Sequence, residues 1–212
     1  MAAKTPAEAW NALVEGNRRF VAGEPRHPHQ DTALREKLAD GQRPTVALFG
    51  CSDSRLAAEI IFDLGLGDAF VIRNAGQVAS DSAIGSIEYA VGVLEVPLIL
   101  VLGHDNCGAV RAAIDSQAAD AAELTPHITR LIEPIVPAVR RVARARRDER
   151  LDTASIDASE VGREHLRDTI TDLLTGSELI SRKVVDGSLG IVGANYRLHE
   201  GTAVPDVLIG LS

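Results

Sequence analysis

Aromatic residues are scarce. The 212-residue chain has one tryptophan, two tyrosines and four phenylalanines, so aliphatic side chains must fill its core. Its two cysteines are too few for the disulfide framework of a small secreted domain. An excess of positive charge is missing as well: the formal net charge is −8 at pH 7. An acidic surface repels phosphate backbones and anionic lipid, which argues against nucleic-acid or membrane partners. No apolar stretch approaches the ~20 residues of a membrane-spanning helix. The central run from Val96 to Gly103 is far shorter and borders Glu95. The opening segment, Met1-Ala-Ala-Lys-Thr-Pro-Ala-Glu8, lacks the apolar region of a secretory signal. These absences predict a cytoplasmic protein.

What is present reads as one α/β domain over residues 1–212, with a helical arm over 1–41 and a core with helical extensions over 42–212. Hydrophobic residues make up 45% of the chain, enough for a sizeable core. Thr5-Pro6-Ala7-Glu8 has the form of a capping box with proline in the first turn, and Gly23 suits the end of that helix. A second short helix is expected over 31–41. Four apolar runs follow: Thr45-Val-Ala-Leu-Phe-Gly50, Ala69-Phe-Val-Ile-Arg73, Pro97-Leu-Ile-Leu-Val-Leu-Gly103 and Leu189-Gly-Ile-Val-Gly193. Strands apolar on both faces predict a mainly parallel sheet covered by helices, with an edge strand from Val204 to Ile209. Helical intervals are expected over 80–95, 108–147 and 160–186. No internal repeat or linker divides the chain.

Cys51 sits immediately after the first apolar run, and His104-x-x-Cys107 follows the third. In a parallel sheet the carboxyl ends of the strands share one rim, so these two loops can meet. Two thiolates and one imidazole suit Zn²⁺, and three protein ligands leave a fourth position for catalysis. A pair of unrelated buried thiols is the alternative. Asp53 can orient a water at such a site or occupy the fourth position itself. Arg55 can hold Asp53 by a bidentate contact.

The ordered set Cys51-Ser-Asp-Ser-Arg55, Arg73-Asn-Ala-Gly76, Ile87-Glu-Tyr89 and Gly103-His-Asp-Asn-Cys-Gly108 resembles the β-class carbonic anhydrases. The resemblance implies one Zn²⁺ per subunit on Cys51, His104 and Cys107, with Asp53 and Arg55 as the adjoining catalytic dyad. Asp53 would be a fourth ligand in a closed state. Reversible hydration of carbon dioxide to bicarbonate and a proton, through a hydroxide formed on zinc, is the implied reaction. A homodimer or homotetramer is the implied assembly. The plant-like branch further implies that Gln42, Phe70 and Tyr89 line an apolar carbon dioxide pocket at a dimer interface. Another branch has an inhibitory bicarbonate pocket built partly on a tryptophan three residues before the first cysteine. Here that residue is Leu48, although Arg73 remains.

Two other function classes stay open on the sequence. One is hydrolysis of another linear heteroallene, such as carbon disulfide, at the same zinc ligands. The other is a non-catalytic zinc-binding regulatory protein. His27, His29, His127, His165 and His199 have no comparable motif around them. The basic run Arg140-Arg-Val-Ala-Arg-Ala-Arg-Arg147 precedes Asp148 and Glu149, which fits a solvated helix face or subunit contact better than a nucleic-acid site. Gly65-Leu-Gly67 lacks the third glycine of a dinucleotide fingerprint.

Overall fold

The computed structural model describes residues 5–145 and 150–211. The chain opens with helix α1 (Pro6–Ala22), capped as its sequence predicts. Thr5 Oγ1 accepts from the Glu8 N–H at 3.2 Å, and the Thr5 N–H donates to the Glu8 carboxylate at 3.1 Å. Ala9, Trp10 and Leu13 of this helix are buried. Gly16 permits the close approach: a Cβ there would lie 1.9 Å from the Phe62 carbonyl oxygen. Asn17 then pins the helix. Its Nδ2 donates to the carbonyls of Ile61 (3.1 Å) and Gly201 (2.8 Å), and its Oδ1 accepts from the Ala203 N–H (3.0 Å). The apolar face of the arm is thus buried within its own chain.

Five strands form one sheet: β1 (Val46–Cys51), β2 (Ala69–Asn74), β3 (Leu98–His104), β4 (Gly190–Arg197) and β5 (Thr202–Ile209). Their spatial order is β2-β1-β3-β4-β5; the first four are parallel and β5 runs antiparallel to β4. This is the α/β architecture with an edge strand that the apolar runs predict. The expected fourth run stops at 193, whereas β4 continues through polar Asn195 and Arg197. Hydrogen bonding to β3 and β5 carries it there despite its composition.

Every residue of β1 and β3 is buried, because helices cover both faces. The helices in chain order are α2 (Thr32–Leu38), α3 (Ala58–Ile61), α4 (Asp81–Gly92), α5 (Gly108–Asp115), α6 (Pro126–Ile132), α7 (Val136–Ala143), α8 (Ala158–Gly176) and α9 (Glu178–Val185). Alternate strand residues separate two core layers. Leu48, Leu98, Leu100 and Leu102 pack with residues of α1, α5 and α7; Phe49, Ile99 and Val101 pack with residues of α4, α8 and α9. Leu48, at the position of the pocket tryptophan of the other branch, is a core residue here.

The interval expected to be helical over 108–147 is divided into α5, α6, a 3₁₀ turn at Glu133–Ile135 and α7. Pro126, Pro134 and Pro137 each stand in the first turn of a new segment, where the missing N–H costs nothing. The interval 160–186 divides at Ser177, whose hydroxyl caps α9. The end of the basic run, Arg146 and Arg147, and the acidic pair Asp148 and Glu149 after it lie outside the described residues. Within the rest, Arg141 pairs with Glu164 (3.2 Å) and Asp168 (2.6 Å) of α8. Arg140 donates to Gln117. Among the described residues, no helix is long and apolar enough to cross a membrane.

Candidate metal centre

Parallel pairing brings the carboxyl ends of β1, β2 and β3 to one rim, with Cys51 in register with Asn74 and Gly50 in register with Leu102. Three loops leave this rim side by side. The first carries Asp53 and Arg55, the second runs from Asn74 to Val78, and the third turns from His104 to Cys107. In the third, Asn106 adopts φ +49°, which lets the chain reverse before α5 begins.

The ligand atoms of Cys51, His104 and Cys107 all lie within 4.8 Å of one another, and all three residues are buried. Their sulfur atoms are 4.0 Å apart. A disulfide would need about 2.05 Å. Two sulfurs on one tetrahedral zinc, each at ~2.3 Å, would stand ~3.8 Å apart, close to what is found. His104 Nδ1 faces the Asp105 carbonyl at 2.8 Å. A carbonyl only accepts, so the proton belongs on Nδ1 and the lone pair on Nε2. That Nε2 is buried and, among the described residues, has no hydrogen-bond partner. A buried acceptor beside two thiols is what a cation site offers, and the donor set fits zinc.

Each sulfur also meets backbone N–H groups. Cys51 Sγ accepts from the Gly76 N–H at 3.2 Å and is served by the Asp53 N–H. Cys107 is the N-cap of α5; the N–H groups of Val110 and Ala109 face its sulfur and favour the thiolate without forming a cap hydrogen bond. The contact between the two thiols separates their acidities. The hydrogen bond from Cys107 draws the Cys51 pKa down, against burial and with help from the Gly76 and Asp53 amides. The same contact, together with burial, pushes Cys107 up. A divalent cation would favour the thiolate at both.

Asp53 and Arg55 form the pair expected from their spacing. Asp53 Oδ1 accepts from the Arg55 N–H and Nε, each at 2.9 Å, and Oδ2 accepts from Nη2 at 2.7 Å. The Arg55 side chain holds the Asp53 carboxyl well below the usual carboxylate range. Arg55 Nη2 also donates to the Asn106 carbonyl at 3.2 Å, tying the first loop to the third.

Arg73 acts from β2. Its Nε donates to the Cys51 carbonyl at 2.9 Å and its Nη2 to the Asp53 carbonyl at 2.7 Å. It therefore sets the path of the loop between the ligand and the carboxylate. The second loop is braced in turn by Asn74: its Oδ1 accepts from the Val78 N–H and its Nδ2 donates to the Val78 carbonyl, both at 2.8 Å. Gly76 (φ +80°) and Gln77 (φ +42°) are left-handed in succession. Behind this loop stands His165 of α8, 2% exposed, with Nε2 2.7 Å from the Gly76 carbonyl oxygen. Gly76 carried a readable signal, a glycine just after a strand. Arg73 stands in a motif that the sequence singled out, whereas His165, which meets a backbone carbonyl, left no comparable signal.

The other three candidates are not brought to this cluster within one chain. Gln42 is exposed and lies before β1, at the strand end opposite Cys51, so a six-residue strand of ~20 Å separates them. Phe70 pairs in register with Ala47, four residues back from the rim. It instead meets Tyr89 of α4, ring centres 6.0 Å apart and planes at 35°. Tyr89 is 48% exposed.

The chain is similar to known proteins. The sequence profile of the carbonic anhydrase family matches residues 46–203. The chain is 49% identical over 199 residues to carbonic anhydrase 2 of Mycobacterium tuberculosis, covering 94% of this chain and 92% of that protein. It is 45% identical over 197 residues to the carbonic anhydrase of Mycolicibacterium smegmatis, covering 92% and 91% respectively. A tetrameric β-carbonic anhydrase of the ascomycete Sordaria macrospora shares the fold, with a TM-score of 0.70 at 23% identity over 92% of this chain and 95% of that one. The parallel sheet, the Cys-His-Cys cluster at its rim and these relatives together show that the chain belongs to the β-carbonic anhydrase family.

Proposed function

We propose that the protein catalyses the zinc-dependent, reversible hydration of carbon dioxide to bicarbonate and a proton. The observation that carries this reading is the orphaned His104 Nε2 beside two thiols at zinc spacing, with the Asp53–Arg55 pair on the next loop. Cys51, His104 and Cys107 would hold the ion. When bound it would act as a Lewis acid that makes water at the fourth position acidic near neutral pH.

The chain's own residues then orient and exclude. Asp53 stays ionised because Arg55 depresses its pKa. A carboxylate so acidic is a poor store for a proton, so Asp53 serves as a hydrogen-bond acceptor that orients the water, and the proton passes to solvent. Arg55 fills one edge of the carboxylate and keeps it turned from the ligand position. The new bond joins the water oxygen to the carbon of carbon dioxide. One C=O bond gives its π electrons to oxygen, and bicarbonate leaves.

The substrate pocket would be completed by a second copy of the chain. Gln42, Phe70 and Tyr89 are too far along the strands to serve their own rim, and exposed Tyr89 and Val93 lie one turn apart on α4. Phe70 and Tyr89 would exclude water from the neighbouring copy's site, and Gln42 would donate to a substrate oxygen. A homodimer is therefore the smallest active unit, and a tetramer is compatible with it.

Stopped-flow hydration with a pH indicator tests the reaction. The zinc-loaded protein is expected to acidify the solution far faster than buffer, and the chelator-stripped protein at the buffer rate. Full zinc occupancy with no rate above buffer would refute it.

A further inference from the structure

The zinc reading leaves one buried histidine without a role. His165 stands on α8, in the layer that covers the sheet, yet it reaches the rim loop. Its partner is a carbonyl oxygen, so Nε2 carries the hydrogen. Nδ1 is then an acceptor, and among the described residues it has no hydrogen-bond partner. One turn along, Thr169 Oγ1 lies 3.3 Å from the Gln77 carbonyl and 2.9 Å from the His165 carbonyl. Helix α8 thus meets two successive carbonyls of the loop, at Gly76 and Gln77. Both residues are left-handed, and Gln77 holds that conformation without the freedom of glycine. The opposite side of the loop delivers the Gly76 N–H to Cys51 Sγ at 3.2 Å.

The geometry points to His165 as a positioning residue for the metal centre: by holding the Gly76 carbonyl it aims the Gly76 N–H at the Cys51 sulfur. The inference rests on the zinc reading and adds a control to it. An N–H bond to a thiolate withdraws charge from sulfur and leaves the bound cation a stronger Lewis acid, whereas the affinity is carried by position. It also holds the sulfur in place before the metal arrives. Without the imidazole, the Gly76 carbonyl loses its donor in a dry site and the loop must shift to find another. Loss of a partner of this kind typically costs 10–100-fold in metal affinity.

Two substitutions in the full-length protein separate positioning from packing. His165→Met removes the donor and keeps the bulk. His165→Gln keeps an amide N–H close to the place of Nε2. Zinc affinity is read by chelator competition, and the sulfur environment by the thiolate-to-metal charge-transfer band of the cobalt-substituted protein. His165→Met is expected to weaken zinc by about tenfold or more and to shift the band. His165→Gln should return both toward the wild type. Wild-type affinity and band in folded His165→Met would overturn the proposal, as would lowered melting temperatures in both variants with an unmoved band. If His165→Met does not fold, Thr169→Val, which frees the Gln77 carbonyl, should shift the band in the same direction by less; an unmoved band there overturns it. A wild-type cobalt protein with no thiolate band would instead overturn the metal centre itself.

Discussion

Gly76→Ala puts the rim loop under the sharpest steric demand. At φ +80°, an alanine pays the left-handed penalty of roughly 1–2 kcal/mol. Its Cβ would also lie 2.9 Å from the Ala109 Cβ and 3.2 Å from the Ile135 Cδ1. The Ile135 methyl can rotate away. Ala109 cannot, since its Cβ is fixed to the first turn of α5, beside Cys107. Overpacking of this kind costs about 1–3 kcal/mol. The total is roughly 2–5 kcal/mol, a large share of the ~5–15 kcal/mol that holds a domain folded. For a chain of this length, about 2–4 °C per kcal/mol converts that to ~4–20 °C of melting temperature. The loop can relieve the clash only by moving away from α5, and that carries the Gly76 N–H off Cys51. Scanning calorimetry on zinc-loaded protein, with zinc affinity by chelator competition, would read both effects. Gly76→Ala melting within 1–2 °C of wild type and binding zinc as tightly would refute the reasoning.

Three further outcomes follow from the same contacts. Asp53→Asn should keep zinc, because Asp53 lies outside the ligand set, yet slow stopped-flow hydration by roughly 10–100-fold; an unimpaired rate would remove Asp53 from the mechanism. Leu100→Ala, in the middle of buried β3, should cost about 2–5 kcal/mol in denaturant unfolding; a loss under 1 kcal/mol would contradict the packing described. Asp63 carries a pH signature: burial tends to raise its pKa, but the Arg26 and His27 N–H groups and the Arg19 guanidinium outweigh it and bring the value down. A depressed carboxyl stabilises the fold at pH above its unfolded value of ~3.9, and that contribution is lost as pH falls through the folded value. Asp63→Asn should therefore lower the melting temperature at neutral pH by an amount worth about 1–3 kcal/mol. The gap should hold down to about pH 4 and shrink below it; a gap that widens on acidification would reverse the sign.

The parts of this fold that were legible in the sequence are those in which burial dictates composition. β1 and β3 are covered on both faces, so their apolar runs mark them to within a residue or two. The Cys51, His104 and Cys107 cluster was legible because parallel strands deliver their following loops to one rim. Asp53 and Arg55 are two residues apart and needed no tertiary knowledge. Where a residue's partner is backbone, the signal vanished. His165 meets one carbonyl and Asn17 two, and none of these acceptors has a side chain to advertise it; Arg73 was named with its motif, but its grip on two carbonyls was not. The polar end of β4 was missed for a related reason: ladder hydrogen bonds to β3 and β5 hold it extended whatever its side chains. Gln42, Phe70 and Tyr89 are not brought to the cluster within one chain; under the proposed function a second copy would supply them, which a single chain's pattern cannot arrange.

X-ray absorption at the zinc edge of the purified, zinc-loaded protein addresses the centre itself. One zinc per chain, with two sulfurs at ~2.3 Å, one nitrogen at ~2.0 Å and one further light ligand, is the predicted result. Cys107→Ser should lose one of the sulfurs or the metal altogether. A chain that binds no zinc, or a Cys107→Ser spectrum identical to the wild type, would contradict the assignment of Cys51, His104 and Cys107 as the metal centre.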